Sequence, residues 1–201
     1  MSQPPQHPTR VKLVETVLEL AGQGPLEKLT VDQVLSAADI SRGSLYHHFE
    51  DFYHLLEVAE AARFSKYVDL SVRKLRELVD HAQTRDQFIE GLKRSTRATN
   101  NADVAWMRKL RVLAIARAYE SPRFAQVLGQ EQDRLNCAIR DIVAAGHARG
   151  LVKSELDSSA TAIFIQAYTI GRVVDDITPS HMDDEAWFAI IDAIVERIYA
   201  H

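Results

Sequence analysis

The sequence predicts an all-α protein made of a small N-terminal module of three helices and a larger C-terminal helical bundle. Three observations carry this reading. Apolar residues recur at three- and four-residue spacing through most of the 201 residues, which is the repeat of an amphipathic helix. Capping residues stand in front of many of those segments. No segment shows the strict apolar–polar alternation of a half-buried strand.

Each element can be justified in turn. Residues 1–8 hold Pro4, Pro5 and Pro8 among polar neighbours and read as a flexible arm. From Thr9, the residues Val11, Val14, Val17, Leu18 and Ala21 mark a first helix that Gly22 and Gly24 stop. Thr30 opens a second helix, and Thr30 with Gln33 forms the pattern of a capping box. Val31, Val34 and Leu35 supply its apolar face. After a break at Ala38–Asp39–Ile40, Ser41 can cap a third helix. Two short helices across so short a turn form a helix-turn-helix signature.

A fourth helix is expected from near Asp51 to about Val79, then helical segments over 84–100 and 104–119. Ser121 followed by Pro122 is a favoured helix start, and Gly150 a favoured left-handed stop. Asp157 or Ser158 opens a helix ending near Ile177, before Pro179, and the last runs from about Asp184 to Tyr199. The expected division is an arm over 1–8, a helix-turn-helix domain over 9–56 and a bundle over 57–201.

Composition narrows the class. No apolar run approaches the 18 or so residues of a membrane helix, and "MSQPPQHPTR" lacks the apolar core of a signal peptide. The lone Cys137 permits no intramolecular disulfide, suits a reducing cytoplasm and reads as a packed helix residue. Neither an HExxH pair, nor a nucleophile elbow, nor a glycine-rich phosphate loop is present, so no enzyme, metal site or cofactor is expected. The net charge is −4, and in the first 52 residues four basic side chains face seven acidic ones. That balance counts against a nucleic-acid-binding N-terminus, where a basic footprint is expected.

The third helix argues the other way. With Leu45 at the centre of the buried side, Phe49 falls about 40° away and Arg42 and His48 about 60° to either side. Gly43 and His47 then face outward, flanked by Ser44 and Tyr46. A glycine inside a helix costs roughly 1 kcal/mol relative to alanine. Its place at the centre of the exposed face suggests that another surface approaches the backbone there. The arginine, hydroxyls, phenol and imidazoles around it suit base edges and phosphates, and Arg42 can pair bidentately with a guanine. A solvated helix that happens to carry a surface glycine is the plainer alternative.

The stretch "LTVDQVLSAADISRGSLYHHFEDFYHLLEVA", Leu29 to Ala59, resembles the DNA-binding module of the TetR family of transcriptional regulators. Thr30, Ala37–Ala38, Ile40–Ser41, Gly43–Ser44–Leu45–Tyr46 and His48–Phe49 carry the resemblance. "AGHARGLVKSELDSSATAIFIQAYTIG", Ala145 to Gly171, is similar to the family's C-terminal region, with lower specificity. The resemblance implies that Arg42, Gly43, Ser44 and Tyr46 face base edges or the adjacent backbone. Thr30, Ser41, Tyr46, His47 and His48 would contact phosphates, with Leu45, Phe49, Ile40, Val34 and Leu35 as core. The chain departs from the pattern at Asp39, where a glycine is common. It departs again at Phe52, where a phosphate-gripping lysine is common, and Glu50 and Asp51 precede that position.

The resemblance further implies a ligand pocket in the bundle and a homodimer made by the last two helices. Trp106, Leu110, Leu113 and Arg117, with Phe164, Tyr168 and Arg172, are the candidate pocket residues. Arg117 and Arg172 would favour an anionic or carbonyl-bearing ligand there, unless each pairs with a carboxylate such as Asp175 or Asp176. Phe164, Ala167, Val174, Trp187, Ile191, Ile194 and Ile198 are the candidate dimer residues, unless their stripes face their own core. The expected function is a ligand-responsive, sequence-specific DNA-binding regulator. It would be a repressor that a small-molecule effector releases from a near-palindromic double-stranded operator. The rival is a helical binding module whose N-terminal element no longer holds DNA.

Overall fold

The computed structural model describes residues 7–151 and 156–198. Its helices are α1 (Pro8–Ala21), α2 (Val31–Ala38), α3 (Arg42–His48), α4 (Phe52–His81), α5 (Arg85–Asn100), α6 (Ala105–Glu120), α7 (Pro122–Ala148), α8 (Ser158–Gly171), α9 (Val173–Asp176) and α10 (Asp184–Ile198). Short 3-10 turns at Leu26–Lys28 and Ala102–Val104 join some of them, and no strand occurs among the described residues. The architecture is all-α, with an N-terminal helix-turn-helix domain and a C-terminal helical bundle.

Local chemistry sets most helix starts. Thr30 Oγ1 accepts from the Gln33 amide while Gln33 Oε1 accepts from the Thr30 amide, and Thr84 with Gln87 repeats the arrangement at α5. Ser41, Asp51, Ser121 and Asp157 each cap the helix that follows. Asp39 takes the left-handed conformation at φ 52°, and Gly150 does so at φ 65° just beyond α7.

Two elements differ from the expectation. Residues 1–6 of the expected arm lie outside the described residues, but Pro8 already belongs to α1, with His7 as its cap. Proline suits this first position because its missing N–H has no helical partner to lose. The helix expected from Asp157 or Ser158 to Ile177 breaks at Arg172, between α8 and α9. Gly171, a weak helix former, precedes the break. The Arg172 guanidinium turns inward there to the Asn100 carbonyl and the Asp184 carboxylate.

The module closes around Leu13, Val17, Leu26, Val34, Leu45 and Phe49, with Leu55, Leu56 and Ala59 supplied by the start of α4. Helix α4 then continues into the bundle, where it packs chiefly along α7. One bundle cluster gathers Phe88, Ile142, Val143 and Ile191, and another gathers Phe64, Val68, Phe124, Leu128 and Leu135. Among the described residues no helix is long and apolar enough to cross a membrane.

Candidate functional site

Helix α3 is held by its inner side. Leu45 and Phe49 are buried in the module core, and the Arg10 guanidinium stacks 4.6 Å above the Phe49 ring. Arg42, Gly43, Tyr46 and His47 are exposed, Ser44 and His48 are half-buried, and Ser41 and Thr30 stand exposed at helix starts. Of the eight residues expected to meet DNA, six are thus exposed and two, Ser44 and His48, half-buried. Ser41 Oγ accepts from the Ser44 amide at 3.2 Å, leaving its hydroxyl proton free to be donated outward. Thr30 Oγ1 is engaged on both sides, because it also donates to Gln33 Oε1 at 3.0 Å.

Gly43 is the informative residue. A Cβ built on it meets nothing within 4 Å, and its backbone is ordinary right-handed helix. Neither the fold nor the backbone geometry asks for a glycine there, although glycine weakens the helix.

The electrostatics of this face are more favourable than the charge count suggests. Arg117 of α6 pairs with Glu27, and Arg123 of α7 bridges Glu50 at 2.6 Å and Glu57 at 2.7 Å. The bundle thereby sets a cation against two of the acids that weighed against DNA, Glu27 and Glu50, the latter sharing Arg123 with Glu57. Asp51 is spent on capping α4, accepting from the His54 amide at 2.6 Å. Arg42 is tied to Asp32 at 2.5 Å, with both side chains largely exposed. His48 lies against His7 and His47, at ring distances of 4.5 and 5.0 Å. Desolvation first, then the charges of His7, His47 and Arg10, hold its imidazole below the usual histidine range. Phe52 packs half-buried against the module core.

The bundle holds an open cavity of about 730 Å³ between α4, α5, α6, α7, α8 and α10. Of the expected pocket residues, Phe164 and Tyr168 line it. The other five do not. Leu110 is buried, Trp106 is half-buried, Leu113 is exposed, Arg117 belongs to the Glu27 pair and Arg172 to Asp184. Helix α6, which reads as apolar nearly all round, in fact buries Arg108 and Arg111 and exposes Leu113 and Tyr119. Arg108 is held by Asp176 through Nε at 2.8 Å and Nη2 at 2.5 Å. Tyr168 sits 3.0 Å from Thr96 Oγ1, and burial raises its phenol above the ordinary tyrosine range.

The cavity residues that sequence reasoning missed, Tyr67, Arg111 and Gln166 above all, come from three different helices. The only sequence signal was that Arg111 shares a helical stripe with Met107 and Ala114.

The expected dimer residues divide by helix. Phe164, Ala167 and Val174 are exposed, together with Ile163. Trp187, Ile191 and Ile194 instead pack into their own bundle, and the Ile198 side chain lies outside the described residues. The outer face of α10 is Ala186, Ala189, Ile190 and Ala193. Its wide apolar stripe serves the intrachain core, because α10 packs on α5.

Residues 13–59 match the model of the bacterial regulatory proteins of the tetR family. Among curated proteins none matches the chain. Solved structures share the fold over nearly the whole length. Salmonella enterica GusR is 18% identical with a TM-score of 0.69, covering 96% of both chains. A Mesorhizobium loti protein assigned to the TetR-family transcriptional regulators is 17% identical with a TM-score of 0.70, covering 96% of this chain and 95% of its own. A bacterial regulatory protein in the tetR family from Rhodococcus RHA1 is 16% identical with a TM-score of 0.55, covering 96% and 98%. The segment holding the α2–α3 module thus matches the tetR-family model, and the chain as a whole shares the fold of these solved structures.

Proposed function

We propose that the protein is a ligand-responsive, sequence-specific DNA-binding regulator of the cytoplasm, acting as a repressor and not as an enzyme. The observation that carries this reading is Gly43, bare at the centre of an exposed polar helix face where no described residue would meet an added Cβ. Two copies would place α3 in successive major grooves of a near-palindromic operator. Arg42, Gly43, Ser44 and Tyr46 would face bases or the adjacent backbone. Thr30, Ser41, His47 and His48, with Tyr46, would contact phosphates. The homodimer would form on the exposed apolar face of α8 at Ile163, Phe164, Ala167 and Val174, beside Ile190 of α10.

The effector site would be the 730 Å³ cavity. Helix α4 supports a coupling role, because its first turns complete the module core while residues 67–82 line the cavity. A ligand that binds one tilt of α4 better than another shifts the spacing of the two α3 helices. A coupling of about 1–3 kcal/mol suffices for release.

Selection of bound duplexes from a random DNA pool, then titration of the winner against salt, tests the reading. A recovered palindrome whose binding weakens with salt is the expected result. No enrichment even at low salt would overturn it in favour of a binding module without DNA.

A further inference from the structure

Three arginines are almost fully buried in the bundle, and they are not equivalent. Arg108 and Arg172 each meet a carboxylate, Asp176 and Asp184. Arg111 is 6% exposed and has no carboxylate partner among the described residues. Among the described residues its guanidinium donates only to neutral oxygens, Gln166 Oε1 at 2.9 Å and the Tyr67 hydroxyl at 3.4 Å, and its buried Nε has no partner there. Gln166 Oε1 also accepts from Gln132, so little of its capacity is left for the cation. The Tyr67 ring, 5.2 Å away, adds a cation–π contact but no counter-charge. A buried cation left this way is costly unless something supplies the missing anion.

Arg111, Tyr67 and Gln166 all line the cavity. From Tyr67 the cavity follows α4 to His81, a run of about 21 Å at 1.5 Å per residue. Its walls along the way include Leu70, Leu78, Leu92, Met107, Ile139 and Ile165. The far end is exposed and of mixed charge, with Lys74, Glu77 and His81. We infer that the cavity takes an amphipathic organic carboxylate, its head paired with Arg111 and an extended apolar body laid along α4. This inference rests on the reading of the cavity as the effector site. It assigns the anion-selecting role to Arg111, where the sequence pointed to Arg117 and Arg172.

The test is calorimetric titration of the full chain with dodecanoate, dodecanol and dodecylamine at pH 7.5. Dodecanoate should bind about tenfold or more tighter than dodecanol, and dodecylamine most weakly. Arg111→Met should erase the preference for the carboxylate over dodecanol, and Arg111→Lys should restore part of it. The ligand-free Arg111→Met protein should melt no lower than the parent, because an uncompensated buried charge has been replaced by an apolar side chain. If that variant does not fold, the three-ligand series on the parent chain decides alone.

Dodecanol binding as tightly as dodecanoate, a carboxylate preference that survives Arg111→Met, or no binding of any of the three would overturn the inference. DNA is absent from this experiment, so its outcome is separable from the operator selection. A chain that holds dodecanoate through Arg111 but selects no operator keeps this inference and loses the regulator reading. An operator-binding chain indifferent to the ligand's head group does the reverse.

Discussion

In the N-terminal module Leu13, Val17, Leu26, Val34, Leu45 and Leu55 are wholly shut off from solvent. The bundle instead divides its apolar residues between two clusters, and Leu92 of one and Leu135 of the other line the same cavity of about 730 Å³. The module is packed to hold one surface in one shape. The bundle keeps empty volume beside a buried cation, so its walls can rearrange around a guest at lower cost. Close packing transmits a displacement and an open cavity admits one, and α4 belongs to both regions.

The largest expected effect sharpens this contrast. Leu45→Ala should cost about 2–5 kcal/mol of stability, while Leu70→Ala on the cavity wall should cost about 0.5 kcal/mol or less. Chemical denaturation reads both, and equal losses would erase the distinction between the regions. Next in size is the α3 face. Gly43→Leu should raise the melting temperature slightly, since a Cβ there meets nothing within 4 Å and leucine is the better helix former. It should lower operator affinity about tenfold or more, or ~1.4 kcal/mol. Unchanged DNA binding would remove the reason given for the glycine.

Smaller effects should come from the charges on the same face. Asp32→Asn frees Arg42 from its partner, and an exposed pair of this kind is worth up to about 1 kcal/mol. DNA affinity should rise up to about fivefold, with a steeper dependence on salt in a filter-binding titration. A flat response would show that Arg42 does not reach the DNA.

The smallest is a pH effect at His48, whose imidazole is held below the usual range of about 6.5 by desolvation and nearby positive groups. Above that value both the folded and unfolded chains carry it neutral. As pH falls below it, the unfolded chain takes up the proton first, so this residue's contribution to stability declines toward the folded-state value. Phosphate favours the protonated form, so operator affinity should rise over the same window. His48→Gln should weaken both trends and leave the stability share of His54, whose imidazole desolvation and Arg123 also hold low; trends of undiminished size would show that His48 contributes to neither.

What the residues disclosed in advance depends on range. The box of Thr30 and Gln33, the cap at Ser41, the left-handed Asp39 and the opposite faces of Leu45 and Gly43 all involve partners within a turn or two. Helical period and capping chemistry settle such features wherever the chain goes. The same T-x-x-Q spacing at Thr84 and Gln87 starts α5 in the same way.

The arginines depended on residues far along the chain. Arg117 meets Glu27, Arg123 meets Glu50, Arg172 meets Asp184 and Arg111 meets no acid among the described residues, and no local pattern separates these outcomes. Likewise the apolar stripe of Trp187, Ile191 and Ile194 suits a partner subunit or its own core equally well until α5 is seen packed against it.

By itself, then, the sequence determined the helices, their caps and the two faces of α3, because hydrogen bonds and periodicity within a few residues fix them. The tertiary structure alone decided which charges are compensated, which stripe faces inward and where a cavity remains. Those outcomes depend on how long helices cross, and on what each crossing leaves beside a buried group.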